Sequence, residues 1–165
     1  MAAQILNGKE LSIKIKEDLR KETEALKKKG INPGLAVIIV GDDPASRVYV
    51  NNKKKACEEC GFYSEEYALP KETTEEELLK LIDTLNNKKE INGILVQLPL
   101  PKGIDSEKVL LSIKPEKDVD AFHPVNVGKI MIGNFDFLPC TPAGVMELIH
   151  LTDIDVCGKE CVVIG

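Results

Sequence analysis

The chain has no apolar run approaching the ~20 residues that a membrane-spanning helix needs. Its first ten residues, MAAQILNGKE, lack the basic-then-apolar pattern of a secretory signal. Together these absences point to a cytoplasmic protein. An excess of basic charge is missing as well: 22 Lys and Arg stand against 27 Asp and Glu, a formal net charge of -5. No basic face dominates, which argues against nucleic acid as the principal partner. The five cysteines, at 57, 60, 140, 157 and 161, are odd in number and follow no regular framework, as in a reducing compartment. Cys57 and Cys60 spell CxxC, but no second pair stands at zinc spacing and both fall inside a helical stretch. Neither metal binding nor redox exchange is expected of them.

What the sequence does contain suits one well-cored domain with part of a second: 165 residues, 43% hydrophobic and 30% charged. The organising stretch is residues 40–61, VGDDPASRVYVNNKKKACEECG. An apolar run ends at Val40, turns through Gly41-Asp42-Asp43-Pro44, and continues as a helix closed by Gly61. Proline suits the first turn of a helix and glycine the residue just past its end. Tyr49, Lys53, Ala56 and Cys60 fall at i, i+4, i+7 and i+11 and so share one stripe. Three of them suit a packed face. A lysine there either carries its charge out to water along its methylene stem or sits in a pocket with a task. Lys54 and Lys55 point elsewhere and read as a solvated face. Tyr49, one turn away, offers Lys53 an aromatic plate and a phenol. Burial of an amine eases loss of its proton, the condition for proton transfer near neutral pH.

Taken in order, residues 8–29 form an amphipathic helix with Leu11, Ile15, Leu19 and Leu26 at helical spacing, ended by Gly30. LAVIIV, residues 35–40, is a continuous, largely β-branched run of the kind buried on both faces of a parallel sheet. The Lys53 helix follows, then a strand at residues 62–69. Thr74 and Glu77 make a capping box for a helix to about Lys89. Residues 94–96 form a buried strand, followed by Gln97 and a proline-stiffened exit. A short helix at residues 106–113 leads to PEKDVDAFHP, another helix runs from Thr141 to about Leu151, and the chain ends on the apolar strand CVVIG. Strands alternating with helices give a three-layer α/β/α architecture with a mainly parallel sheet.

In open α/β sheets, ligands bind beyond the carboxyl ends of the strands. Three polar segments lie there: the turn leading to Tyr49 and Lys53, Gln97, and the pair Asp118 and Asp120. Gln97 follows an apolar strand, where an amide without partners is costly; it either bonds to backbone or serves a site. Asp118 and Asp120 alternate, so both carboxylates point the same way if the segment is extended. His123 is the one neighbour at hand to join them on a metal, and it reads as a loop residue. A carboxylate receiving two parallel N–H donors from a heterocycle is the better chemical use. Tyr49-x-x-x-Lys53 also resembles the catalytic pair of short-chain dehydrogenases, but no glycine-rich GxxxGxG loop precedes it, and that reading is set aside.

The four segments VGDDPASRVYVNNKKKACEECG, GILVQLPLP, PEKDVDAFHPVNVG and PCTPAG, in this order and spacing, closely resemble the bifunctional methylenetetrahydrofolate dehydrogenase/methenyltetrahydrofolate cyclohydrolase family in its bacterial form. The resemblance covers the whole chain. It implies oxidation of 5,10-methylenetetrahydrofolate with NADP, or NAD, to the 5,10-methenyl form, and hydrolysis of that cation to 10-formyltetrahydrofolate in the same cleft. It further implies a place in one-carbon metabolism and purine biosynthesis, and a homodimer. Tyr49 would stack on the aminobenzoate ring, Lys53 would activate water and move protons, and Gln97 would hold and tune Lys53. Asp120 would accept the pterin ring N–H and amino group, Leu98 and Pro99 would line the substrate, and Asp118 would be structural.

Two departures from the family pattern stand out. The glycine usual after KDVD is Ala121. The chain also stops at Gly165, where the family's strand leads into a glycine-rich nucleotide loop. The expected organisation is therefore a folate-binding catalytic domain over residues 1–140. Residues 141–165 would be a connecting helix and the first strand of a Rossmann-type NAD(P)-binding domain otherwise missing, with Gly165 opening its loop. Two functions follow from this: a chain keeping the folate site and some hydrolase activity without dehydrogenase activity, or a folate-binding or association module without turnover.

Overall fold

The computed structural model describes residues 5–152 and 154–164. Nine regular elements follow one another: α1 (Gly8–Lys27), β1 (Gly34–Val40), α2 (Pro44–Cys60), β2 (Tyr63–Leu69), α3 (Glu75–Asn87), β3 (Gly93–Val96), α4 (Ser106–Leu111), α5 (Pro124–Met131) and α6 (Cys140–His150), with a short 3-10 turn at Pro115–Lys117. The strands form one parallel sheet in the order β2-β1-β3.

The central strand explains the layering. Ala36, Ile38 and Val40 pack on one face against Leu78, Ile82 and Leu85 of α3 and Val109 of α4. Val37 and Ile39 pack on the other against Val50 of α2. A strand apolar at every position is what a sheet covered on both sides requires. β2 is an edge strand carrying Ser64, Glu65 and Glu66, and its Tyr67 and Leu69 join the α3 face.

The helix ends are set by local chemistry. Asp43 caps α2 by accepting from the Ser46 N–H at 2.7 Å, and Gly61 closes it at φ 77°. Thr74 and Glu77 form the expected capping box on α3.

Three features differ from the sequence reading. α1 ends two residues early, and Thr23 is its one fully buried residue among those described, because the helix packs mainly against α2. α5 forms where no element was expected before the helix from Thr141: Pro124 starts it and His123 caps it through Nδ1. The apolar run at residues 161–164 forms no strand among the described residues; Val162, Val163 and Ile164 are 84%, 89% and 95% exposed. A strand needs a neighbour for its backbone groups, and no strand lies beside these residues. Gly165 lies outside the described residues.

Candidate active site

β3 ends at Val96, and the Gln97 N–H still donates to the Ile38 carbonyl of β1 at 2.8 Å, so the ladder fixes the residue that leaves the sheet. The side chain of Gln97 is held at both ends. Its Nε2 donates to the Leu98 carbonyl at 2.8 Å, and its Oε1 accepts from Lys53 Nζ at 2.9 Å. The Leu98–Pro99 peptide is cis, and Pro99 is exposed. Beside it, a groove of about 480 Å³ at the carboxyl ends of β1 and β3 runs past Gly41, Lys71 and Pro101.

Lys53 reaches Gln97 from α2. The buried stripe of that helix is Ser46, Val50, Cys57 and Cys60, with Lys53 half-buried at i+7 from Ser46. The stripe expected from sequence was displaced by part of a turn: Tyr49 is not packed in the core but 62% exposed. A helix bordering an open cleft has a rim position that is neither core nor outer face, and Tyr49 occupies it. Lys53 Nζ lies 5.9 Å from the centre of its ring, at the outer range of a cation–π contact.

Asp118 and Asp120 have separated roles. Asp118 makes a bridge with Ile94 of β3 and is 2% exposed. Its Oδ2 accepts from the His123 N–H at 2.8 Å and from Asn126 Nδ2 at 2.9 Å. Asp120 lies in the following turn and is half-buried. The pair does not continue as an extended strand, because the chain turns at once and Ala121 takes φ 56°. Burial pushes the Asp120 carboxyl above its ordinary value; Lys53 opposes that rise and Asp118 adds to it.

Two of the three polar segments are in direct contact: Lys53 bonds Gln97, Tyr49 lies one turn before Lys53 on α2, and Leu98 accepts from the glutamine, while Asp120 is reached only by the charge of Lys53. Cys57 and Cys60 are unpaired, buried in α2, and their thiols are pushed up by burial, which makes them poor nucleophiles. Among the described residues, no group of three or more His, Cys, Asp or Glu side chains is arranged to hold a metal ion. Nor is any helix among them long and apolar enough to cross a membrane. Sequence reasoning missed Asn126; the signal was His123-Pro124, a helix start that places Asn126 in the first turn of α5.

The arrangement can be set beside known proteins. The model of a family described as the tetrahydrofolate dehydrogenase/cyclohydrolase catalytic domain matches residues 6–120. The chain is 71% identical over 165 residues to the bifunctional protein FolD of Acetivibrio thermocellus, a match spanning all of this chain and 58% of that protein. It is 64% identical to the protein of the same name from Ruminiclostridium cellulolyticum, again over 58% of its length. Among solved structures, the bifunctional enzyme FolD of Campylobacter jejuni superposes with a TM-score of 0.90 at 54% identity, covering 94% of this chain and 55% of that one. The methylenetetrahydrofolate dehydrogenase-cyclohydrolase of Trypanosoma brucei, solved with NADP cofactor and an inhibitor, gives 0.91 at 39% identity over 96% and 55%. The chain thus spans a little over half the length of the relatives it matches.

Proposed function

The chain belongs to the tetrahydrofolate dehydrogenase/cyclohydrolase family, and from that premise we propose that it carries the folate site at which 5,10-methenyltetrahydrofolate is hydrolysed to 10-formyltetrahydrofolate. The observation that carries this reading is the 2.9 Å bond from Lys53 Nζ to Gln97 Oε1 at the carboxyl end of β3. In this mechanism Asp120 accepts the ring N–H and amino group of the pterin, a two-donor edge suited to a carboxylate. The exposed ring of Tyr49 stacks on the aminobenzoate, and Leu98 and Pro99 border the substrate.

Lys53, oriented by Gln97, receives a proton from a water molecule as its oxygen bonds to the cationic bridge carbon. The carbon–N5 bond then breaks, N5 takes the remaining hydroxyl proton, and the formyl group stays on N10. The proton on Lys53 passes to solvent, so the net reaction consumes one water and releases one proton.

The whole protein would also oxidise the 5,10-methylene form, with NADP taking the hydride. The described residues do not fit that nucleotide. The turn from β1 into α2 has a single glycine, and it carries Asp42 and Asp43 where a pyrophosphate needs free backbone N–H groups. No oxidation step is assigned to these residues, and the 165-residue chain is expected to reduce no NADP. Detectable reduction in the presence of methylenetetrahydrofolate would contradict this.

The same reading makes the protein a cytoplasmic homodimer supplying one-carbon units to purine biosynthesis; its unpaired cysteines support the reducing compartment. A folate-binding module without turnover is the competing reading. The bond that orients Lys53 favours turnover, since binding alone has no need of a positioned amine. The proposal is tested by titrating the chain with 5-formyltetrahydrofolate. Saturable binding that Asp120→Ala weakens is expected, and no binding by the native chain would overturn it.

A further inference from the structure

Asp120 sits in a loop whose base is tied by a buried amide. Asn126, in the first turn of α5, is 2% exposed, as is Asp118. Asn126 Nδ2 donates to Asp118 Oδ2 at 2.9 Å and to the Pro115 carbonyl at 2.9 Å. Both hydrogens of the amide are then used. The same Asp118 oxygen accepts the His123 N–H at 2.8 Å, which closes residues 118–123 into a ring at the foot of α5. One side chain thereby joins the 3-10 turn, the β3 bridge and the helix that follow one another here.

The loop so closed holds a conformation that the backbone does not favour. Ala121 is 1% exposed and has φ 56°, the left-handed region that a Cβ disfavours. Such a residue persists where its surroundings over-determine it. Asp120 immediately precedes it, so whatever fixes Ala121 also fixes the backbone from which the Asp120 carboxyl projects.

We propose that Asn126 is a positioning residue for Asp120: by clamping Asp118 and Pro115 it sets the carboxylate that receives the pterin edge. The inference rests on the reading of Asp120 given above and extends it to a residue that touches no substrate.

The test compares two ligands on the 165-residue chain: 5-formyltetrahydrofolate, and p-aminobenzoylglutamate, the same molecule without its pterin. Asn126→Ala is expected to weaken the first about tenfold, the effect of losing one hydrogen bond to a charged group, and to change the second by less than about twofold. In an Asp120→Ala background, Asn126→Ala should cost little more, because both act through one contact. Equal losses for both ligands, or losses that simply add, would overturn the proposal and leave Asn126 as general scaffolding. If Asp120→Ala leaves folate affinity unchanged, the pterin role of Asp120 fails, and the inference falls with it for that distinct reason.

Where Asn126→Ala melts below the assay temperature, Asn126→Leu, similar in volume and without donors, is read the same way. Pairing Asn126→Asp with Asp118→Asn keeps one amide-to-carboxylate bond with the polarity reversed. The double variant is expected to recover folate affinity, and failure to recover any would count against the clamp.

Discussion

Lys53 is placed by a hydrogen bond rather than by enclosure. Gln97 cannot turn its amide without giving up both the Leu98 carbonyl and the Lys53 amine, so one side chain fixes the angle at which the amine meets the cleft. Gln97→Ala is expected to lower the hydrolysis rate about a hundredfold, the scale of a small misplacement of a reacting group. Decay of methenyltetrahydrofolate absorbance measures it. Asp120 shows the opposite economy. Burial holds its carboxyl above the ordinary value of 3.8, so its ionised form is disfavoured in the fold. The sign follows from proton binding: between the ordinary and the raised value the folded state holds more protons than the unfolded, and stability falls as pH rises. Asp120→Asn should therefore raise the melting temperature at pH 7 while weakening folate binding. The gain should vanish below pH 3.8, and thermal melts across pH check it. Lys53 and Gln97 stood out in the sequence because each is a polar group breaking an apolar pattern or ending a strand, and Asp120 through its alternation with Asp118 and the family resemblance. Asn126 did not stand out, since a lone asparagine has no period and its two partners, Pro115 and Asp118, lie in other segments.

At the scale of elements, the turn bearing Asp120 leans on β3. A Cβ on Gly93 would stand 2.5 Å from Val119 Cγ1, too near for any real contact, so Gly93 lets the loop lie against the strand. Gly93→Ala is expected to cost about 1–3 kcal/mol, the usual penalty of overpacking. It should also weaken folate binding by moving Val119 with Asp120; urea unfolding and ligand titration separate the two effects. Gly34→Ala is the harsher change, because its Cβ would meet the Glu90 backbone oxygen at 1.9 Å. Such elements were readable in proportion to how local their causes are. β1 announced itself by an unbroken apolar run, α2 by Pro44 and Gly61, and α3 by its capping box. α5 depends on tertiary support that a sequence with Val125, Val127 and Gly128 does not advertise. Residues 161–164 show the converse: a strand-like pattern with no neighbouring strand to realise it.

For the whole molecule, stability and chemistry sit at different places on the same sheet. On the outer strand, Glu65 accepts from Lys88, Tyr63 and Tyr67 together, which ties β2 to the end of α3. These bonds, Lys88 first and then the two phenols, pull the Glu65 carboxyl from 4.5 down to about 2. A carboxylate with a lowered value stabilises the fold in full above 4.5, and that contribution is lost as pH falls towards 2. Glu65→Gln should therefore lower stability at pH 7, and the gap from the native chain should close between pH 4.5 and pH 2; urea unfolding at a series of pH values follows it. The proposed folate site lies beyond β3 and should keep its affinity in that variant.

The central claim is that this sheet end carries a working amine. It is tested most directly by following the loss of methenyltetrahydrofolate absorbance with the native chain and with Lys53→Met. The account predicts that the native chain accelerates hydrolysis above the buffer rate and that the variant, still folded and still binding folate, does not. Equal rates with the two proteins would contradict it.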